Sequence, residues 1–411
     1  MEKVNTFRLY QDTVKQLSEK LNEPEWFLTE RLEALKAVDK LQPPEVERLD
    51  YSNWNLWEFP KISKEDEVAL KFKNHMSSYN DKGVLVLDFK QAVKEYDELF
   101  KKCYEKSGFS QLDNLFDAFT MAFLTDSLFV YIPENLQKEE PIELSFIQNN
   151  KLQNISNRQV LIYAAANSSV EIIEKYLSTE NEYKATANIY IQIIADTGAR
   201  IQYSSLDQFS ENTTAFIRRI ATTKNDAVIN GALGITNDGN IIEDVRVNLE
   251  GQGSSSDIKT VAIANEYQVQ SININVTNIG KNTVGNIFQH GVVLDESTLI
   301  FNGIGHILKD SKNSDSQQES RILMLSDSAR ADANPILLID ENEVQAGHAA
   351  SISRVDQEQL YYLMSRGIDK NQAEKLIIHG FLGLVLSEIS INTVRQELID
   401  TIERKLVQYG R

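Results

Sequence analysis

The chain has 411 residues, with 42 Lys+Arg against 60 Asp+Glu for a formal net charge of −18, so its field repels phosphate backbones and anionic lipid surfaces. Its length suffices for a large core divided over two or three units, and 42% hydrophobic with 25% charged residues is an ordered, globular composition rather than a disordered one. No apolar run approaches the roughly 18 residues of a membrane span, no secretory signal follows Met1, and a cytoplasmic location is expected. Cys103 is the only cysteine, which excludes an internal disulfide and also a cluster held by about four thiolates of this chain alone.

Residues 1–125 read as a mainly helical region. Asn22 is placed to cap a helix with Pro24 in its first turn, where a missing N–H costs nothing. Leu28, Leu32, Leu35 and Val38 then recur as one apolar stripe. Pro43 and Pro44 stop that helix, and the tract to Pro60, with Trp54 and Trp57, is expected to lie extended on a neighbour. A second helical stretch covers residues 89–124, interrupted near Gly108.

Residues 126–345 change to short β runs. Ile189, Ile191 and Ile193 alternate with Tyr190 and Gln192; Val245, Val247 and Leu249 with Arg246 and Asn248; Ile272, Ile274 and Val276 with Asn273, Asn275 and Thr277. A period of two predicts one buried and one solvated face. Candidate strands centre on Ile172, Ile191, Ile201, Ile217, Ile229, Val247, Ile263, Ile274, Ile287 and Ile300, 10 to 19 residues apart. With no helical stretch between them, βαβ units are excluded and a sandwich, a barrel or a solenoid remains. No strict hexapeptide repeat supports a β-helix built on perfect repeats. Loops are expected at residues 251–257 (GQGSSSD) and in the polar KDSKNSDSQQES after Leu308.

Residues 346–411 read as a C-terminal helical domain. Asp356 and Asp369 suit helix starts and Gly367 a helix stop. One apolar face gathers Leu376, Ile377, Phe381, Leu384 and Val385, and another Val394, Leu398, Ile402 and Leu406. Such helices either pack on each other or dock a partner.

Several separated blocks carry a family resemblance. NEPEWFLTERLEAL (residues 22–35) is similar to an E-P-x-W followed by R-x-x-A, and DSLFVYIPENLQKEEPIEL (residues 126–144) to an F-x-Y-x-P followed by E-x-P-I. FNGIGHI, QQESRILMLSDSARADANP, AGHAAS and QLYYLMSRGI come next in order, and the match is densest over residues 274–368. On these blocks the chain resembles the SufB/SufD family, the scaffold subunits of the SUF iron–sulfur cluster assembly machine. KLQPPEVERLDYSNWNLWEF brings it closer to the SufD branch.

The resemblance implies a right-handed parallel β-helix core with a helical N-terminal region and a C-terminal helical domain. It implies a complex with SufB and the ABC-type ATPase SufC, cluster forming near the SufB–SufD interface, and support of iron acquisition. SufC would dock on the C-terminal helices, for which Leu360, Tyr361, Phe381 and Leu384 are the candidate residues. The two scaffold subunits would meet through their β-helices, and without SufB an end strand with unpaired backbone favours a homodimer. The family is associated with reduced flavin, although no flavin fingerprint is present. No G-x-x-x-x-G-K-[ST] occurs, so no P-loop ATP site is expected, and the chain reads as a non-catalytic subunit.

His348 is the leading site residue. It stands at the histidine of the family's C-x-H-G-A-T block, here Ala346-Gly347-His348-Ala349-Ala350-Ser351, and imidazole suits iron or a cluster shared with SufB. The bland alternative is a histidine packed at a β-helix end. Ala346 replaces the block's frequent cysteine, Ala329 stands roughly where SufB has one, and Ile279 takes the place of a histidine common after that strand. His290 and His306 read as structural, His379 and His75 as solvated, and Cys103 as a buried inert thiol despite neighbouring lysines. Asp327 and Asp332 beside Arg330 suit surface ion pairs, and Asp340, Glu341 and Glu343 a solvated turn rather than an iron-attracting loop. Two rival functions differ in kind. A secreted-type, carbohydrate-active β-helix enzyme needs a groove of carboxylates, cations and aromatics; a purely structural subunit lends no ligand.

Overall fold

Strands of the middle region pair with the strand after next, because successive strands go to opposite sheets. The computed structural model describes residues 6–59, 79–81, 83–109, 111–150, 154–179, 181–387 and 392–409, and His75 lies outside them. Sheet A runs in the order β1 (Tyr79–Asp81), β2 (Val84–Asp88), β3 (Asp126–Ile132), β5 (Asn154–Ala164), β7 (Ala185–Ala195), β9 (Thr213–Thr223), β11 (Ile241–Leu249), β13 (Val269–Asn278), β15 (Thr298–Ile307) and β17 (Arg330–Ile339). Sheet B contains β4 (Ile142–Asn149), β6 (Ser169–Thr179), β8 (Arg200–Gln208), β10 (Val228–Ile235), β12 (Ser255–Ala264), β14 (Val284–Val293), β16 (Asp315–Met324) and β18 (Gln345–Arg354). From β3 and β4 onward the pairings are parallel. The architecture is a parallel β-helix, which removes the sandwich and the barrel.

Alternation fills its lumen. Ile189, Ile191 and Ile193 on β7 meet Val245, Val247, Ile272 and Ile274 and the inward residues of sheet B, such as Ile172, Ile229 and Ile258, in one core. The outward residues of β11 and β13, from Asp244 to Asn248 and from Asn273 to Thr277, alternate as half-exposed positions as the period of two predicted, but β7 does not follow it. Every residue of β7 is buried, because a helical layer covers the first half of sheet A, as far as β11. Tyr190, Ile194, Phe216 and Ile242 pack there against Phe27, Phe100, Phe116 and Phe119. A second layer covers sheet B, where Ile173, Leu206, Val261, Ile263 and Val292 meet Ile378, Leu382, Leu398 and Ile402.

The layer on sheet A comprises α1 (Thr6–Leu21), α2 (Glu25–Val38), α3 (Phe89–Ser107) and α4 (Leu115–Ala122). Asn22 does not cap α2: with φ 53 it sits in the left-handed region just beyond α1 and ends that helix, and Pro24 holds the cap position. The buried stripe of α2 is centred on Phe27, Arg31, Ala34, Leu35 and Val38, leaving Leu28 and Leu32 half-buried. Arg31 pairs with Glu23 and donates to Leu124 O at 2.9 Å, tying α2 to the exit of α4. Trp57 packs on Phe116, Phe119 and Phe216 as the extended tract crosses sheet A. Gly108, at φ 71, ends α3.

On sheet B lie α5 (Gln357–Ser365), α6 (Lys370–Leu386) and α7 (Asn392–Tyr409). Asp356 accepts from Glu358 N and Gln359 N, and Asp369 from Gln372 N. The stripe on α7 is as predicted, with Val394, Leu398, Ile402 and Leu406 buried. That on α6 is rotated: Ala373, Ile378, Leu382 and Leu386 are buried while Leu376 is 51% exposed.

Two boundaries move. The solenoid continues through β16, β17 and β18, so the helices begin at Gln357 rather than at residue 346. The two polar segments assigned to loops supply β12 from Ser255 and β16 from Asp315. Their Ser and Gln side chains alternate between lumen and solvent while parallel neighbours supply the backbone hydrogen bonds.

Candidate functional site at the open end of the solenoid

Helices cover sheet A as far as β11 and sheet B as far as β16, and the C-terminal end of the solenoid is left bare. β17 and β18 are the last strands of their sheets, and among the described residues nothing pairs with their outer edges. Ile336, Leu338, Ile339 and Ile352 are 37%, 45%, 46% and 43% exposed there. Neighbouring residues of a strand aim their backbone groups to opposite sides. Gln345 N bonds Ser314 O on the β16 side, so the even-numbered residues of β18, His348 included, turn N–H and C=O to the free edge. Arg330 N and Asp340 N bond Ser297 O and Ile307 O on the β15 side, so the odd-numbered residues of β17 face the edge. Pro335 is one of these, and its missing N–H sits where no partner exists among the described residues.

Register then places the His348 side chain. It pairs with Gln318, which pairs with Ile287, which pairs with Ile258. Ile287 and Ile258 belong to the lumen core. Side chains in one register column share a face, so His348, with Ala346, Ala350 and Ile352, continues the lumen-facing columns onto the last rung. It is exposed only because no further rung covers it. Small neighbours leave room around the ring. One rung below, Gln318 donates to Ile336 O at 2.8 Å, while its Oε1 is buried without a hydrogen-bond partner. Among the described residues no group of three or more His, Cys, Asp or Glu is placed to hold a metal ion.

The remaining histidines are engaged elsewhere. His290 is buried, stacks on Phe381 with centroids 5.2 Å apart, and meets Phe381 O at 3.2 Å and Glu319 Oε1 at 3.0 Å. It fastens α6 to β14. Burial works to raise the Glu319 carboxyl, but His290 and Arg321 hold it below its usual value. His306 meets Asp340 at 3.1 Å, and His379 binds Glu403 between α6 and α7. Asp332 pairs with Arg330 at 2.6 Å and Asp327 with Arg354 at 2.6 Å. Glu341 accepts backbone N–H groups of Asp310 and Asn342, and Glu343 binds Lys312 at 2.8 Å, so the acidic loop is used in holding its own turn. Cys103 is buried, and that burial pushes its thiol up to about 12 against the pull of Lys106 and Lys102.

A second polar cluster, which sequence reasoning missed, lies sealed in the lumen. Arg219 donates to both Asp207 oxygens at 3.0 and 3.1 Å, to the Tyr203 hydroxyl at 3.0 Å, and to Glu243. Glu174 accepts from Tyr176 at 2.8 Å and Tyr203 at 2.6 Å. Desolvation drives Glu243 and Glu174 upward. Perturbed carboxyls often mark catalysis, but each member is buried and no substrate reaches them.

The docking candidates divide. Leu360 is buried and Phe381 is held by His290, so neither presents a free surface; the Leu384 side chain lies outside the described residues. Tyr361 is 75% exposed, and Tyr362, Met364 and Leu376 accompany it on the outside of α5 and α6. Among the described residues no helix is long and apolar enough to cross a membrane.

Comparison with known proteins places this geometry. Residues 146–381 match the SUF system FeS cluster assembly SufBD core domain, and residues 66–144 the SufBD protein N-terminal region. The chain is 37% identical to the iron–sulfur cluster assembly protein SufD of Bacillus subtilis (strain 168), over 96% of this chain and 98% of that protein. It is 25% identical to an iron–sulfur cluster assembly SufBD family protein of Staphylococcus saprophyticus, over 93% of this chain and 90% of the relative. A SufBD family protein of Staphylococcus aureus (strain MRSA252) is also 25% identical, over 91% and 88%.

Proposed function

The chain belongs to the SufBD family of SUF-system iron–sulfur cluster assembly proteins, and we propose that it acts there as a SufD-like, non-catalytic scaffold subunit. Its open end pairs with a SufB-type subunit, and His348 lends an imidazole to the nascent iron or iron–sulfur cargo at that junction. The observation that carries this reading is the last rung itself: unpaired edges surround a lumen-facing histidine with small neighbours. One imidazole and no accessible thiol cannot complete a cluster's ligand set, so the partner supplies the sulfur ligands.

A SufC-type ATPase docks on α5 and α6 through Tyr361, Tyr362, Met364 and Leu376, an apolar patch that solvent disfavours. Reduced flavin finds no fit in two surface clefts of this chain. One is lined by Asp356, Glu358, Gln359, Tyr362, Leu363 and Ile377, the other by Asn313, Ser314, Asp315, Glu343, Val344 and Gln345. Neither lining includes a Lys or Arg, and Lys312, beside the second cleft, is paired with Glu343 at 2.8 Å.

The test is His348→Ala in the complex purified with both partners. Native mass analysis should find the assembly intact, while transfer of cluster to an apo-ferredoxin falls at least severalfold. Transfer at the wild-type rate would remove the ligand role, and leave a structural subunit.

A further inference from the structure

A chain of side-chain amides runs along the outside of sheet A and ends, unfinished, at the open edge. Asn273, Asn302 and Asn334 occupy one register column on β13, β15 and β17. Asn273 donates to the backbone carbonyl of Glu243 at 2.9 Å. A carbonyl only accepts, so Nδ2 of Asn273 must point back along the solenoid and its Oδ1 forward. Asn302 then donates to Asn273 Oδ1 at 2.6 Å, and its other N–H goes to Glu47 O at 3.2 Å. Asn334 donates in turn to Asn302 Oδ1 at 2.8 Å. The direction of the ladder is therefore fixed by chemistry at two backbone carbonyls. At its forward end Asn334 Oδ1 has no donor bonded to it among the described residues, and the second N–H of the same amide is also uncommitted there.

We infer that this acceptor is a register key for the subunit seated on β17: the docking strand places a hydrogen-bond donor, an amide, hydroxyl or cationic side chain, opposite Asn334. A strand added at the usual spacing of about 4.8 Å brings its side chain to the position that the next asparagine of the column would hold. The other natural occupant is a second copy of this chain, which with Asn334 against Asn334 brings two forward-facing acceptors together unless a second N–H turns to the edge. The net charge of −18 on each copy adds repulsion to that mismatch. The inference rests on the proposed pairing of solenoids and adds to it the chemistry by which the right partner and register are recognised.

The experiment measures binding of the SufB-type subunit from the same organism to wild-type, Asn334→Ala and Asn334→Asp chains by titration calorimetry, with self-association tracked by sedimentation. Loss of one neutral hydrogen bond predicts roughly 3- to 10-fold weaker binding for Asn334→Ala. Asn334→Asp gives up the N–H donated to Asn302 Oδ1 but keeps an acceptor at the edge, and should bind more tightly than Asn334→Ala, because a charge-assisted acceptor strengthens a bond to a donor. Thermal melts verify that the variants fold, and the near-isosteric Asp variant keeps the test open if the Ala variant does not. Equal binding by all three, or an Asp variant weakened as much as the Ala variant, overturns the key while leaving solenoid pairing intact. Self-association of the wild type that weakens in Asn334→Ala would make the occupant a second copy and overturn the key as well. No binding by the wild type would remove the pairing itself, and the key with it.

Discussion

Lys405 offers a quantitative test of how the C-terminal helices are held. It is buried on α7, and its ammonium donates to Asn237 O and Asn265 Oδ1 at 2.6 Å and to Gln268 Oε1 at 3.2 Å, with Asp238 at 2.9 Å. These acceptors sit on loops between solenoid strands, so one side chain pins α7 to the rungs. Desolvation lowers its pKa from 10.5 to about 8, against the opposing pull of Asp238. Between those two values the unfolded chain holds a proton that the folded chain lacks, and stability must rise with pH; below about 8 both states are protonated and the dependence vanishes. The full difference is about 3 kcal/mol, of which roughly half falls between about pH 8 and about pH 9.5.

Urea unfolding of wild type and Lys405→Met across that interval reads the difference directly. The variant strands several acceptors, so its absolute stability moves for other reasons; the slope carries the test. Burial lifts the Tyr190 and Tyr203 phenols above their usual range, which makes stability fall again above about pH 10 and sets the upper limit of the window. Parallel pH profiles for the two proteins would refute the argument, since they would mean that Lys405 titrates alike folded and unfolded.

Arg219→Met removes the cation from the sealed cluster and leaves Asp207 and Glu243 buried against each other; a loss on the order of 3–5 kcal/mol is expected in urea unfolding. A change below about 1 kcal/mol would mean that the carboxyls are neutralised without it. Cys103, with its thiol pushed up to about 12 inside the N-terminal layer, should resist a thiol-specific disulfide reagent in the native protein and react at the rate of unfolding in denaturant. Rapid native labelling would place it at an accessible surface.

The lumen was legible in the sequence because inward isoleucines and valines keep a strict period of two, and the ten strand centres chosen on that basis all lie in strands. Solenoid winding was harder to see because its punctuation is chemical rather than literal. Asn135, Asn167, Gly198, Asp226, Gly253, Asn282 and Asn313 all take positive φ at one corner. Each donates its N–H to a carbonyl in the corner one turn on: Ala166, Thr197, Asn225, Gln252, Lys281, Lys312 and Glu343. Asn, Asp and Gly share only their tolerance of the left-handed region, so the repeat is invisible to a search for identical residues. The face of α2 was misjudged for a different reason. A stripe drawn from apolar residues alone passed over Arg31, which is buried because Glu23 and the carbonyls at the end of α4 satisfy it.

The motif marks His348 as a candidate but does not give its environment, because exposure at the last rung depends on which elements pack beyond β18 in space rather than on the adjoining sequence. Solvent-facing edge strands ordinarily defend themselves with lysines, inward charges or bulges. β18 reads QAGHAASISR, whose single cation stands at its final residue, Arg354. Ala346, Gly347, Ala349 and Ala350 present little bulk to an approaching backbone, and Ile352 exposes apolar surface beside them. Pro335 removes one donor from β17 but leaves β18 uninterrupted. An edge so poorly defended is a liability to an isolated chain and an asset to one that is paired. The same small residues that admit a neighbouring strand also leave the imidazole uncovered, so pairing and access to His348 are one structural feature. A partner that closes the edge therefore also encloses the histidine.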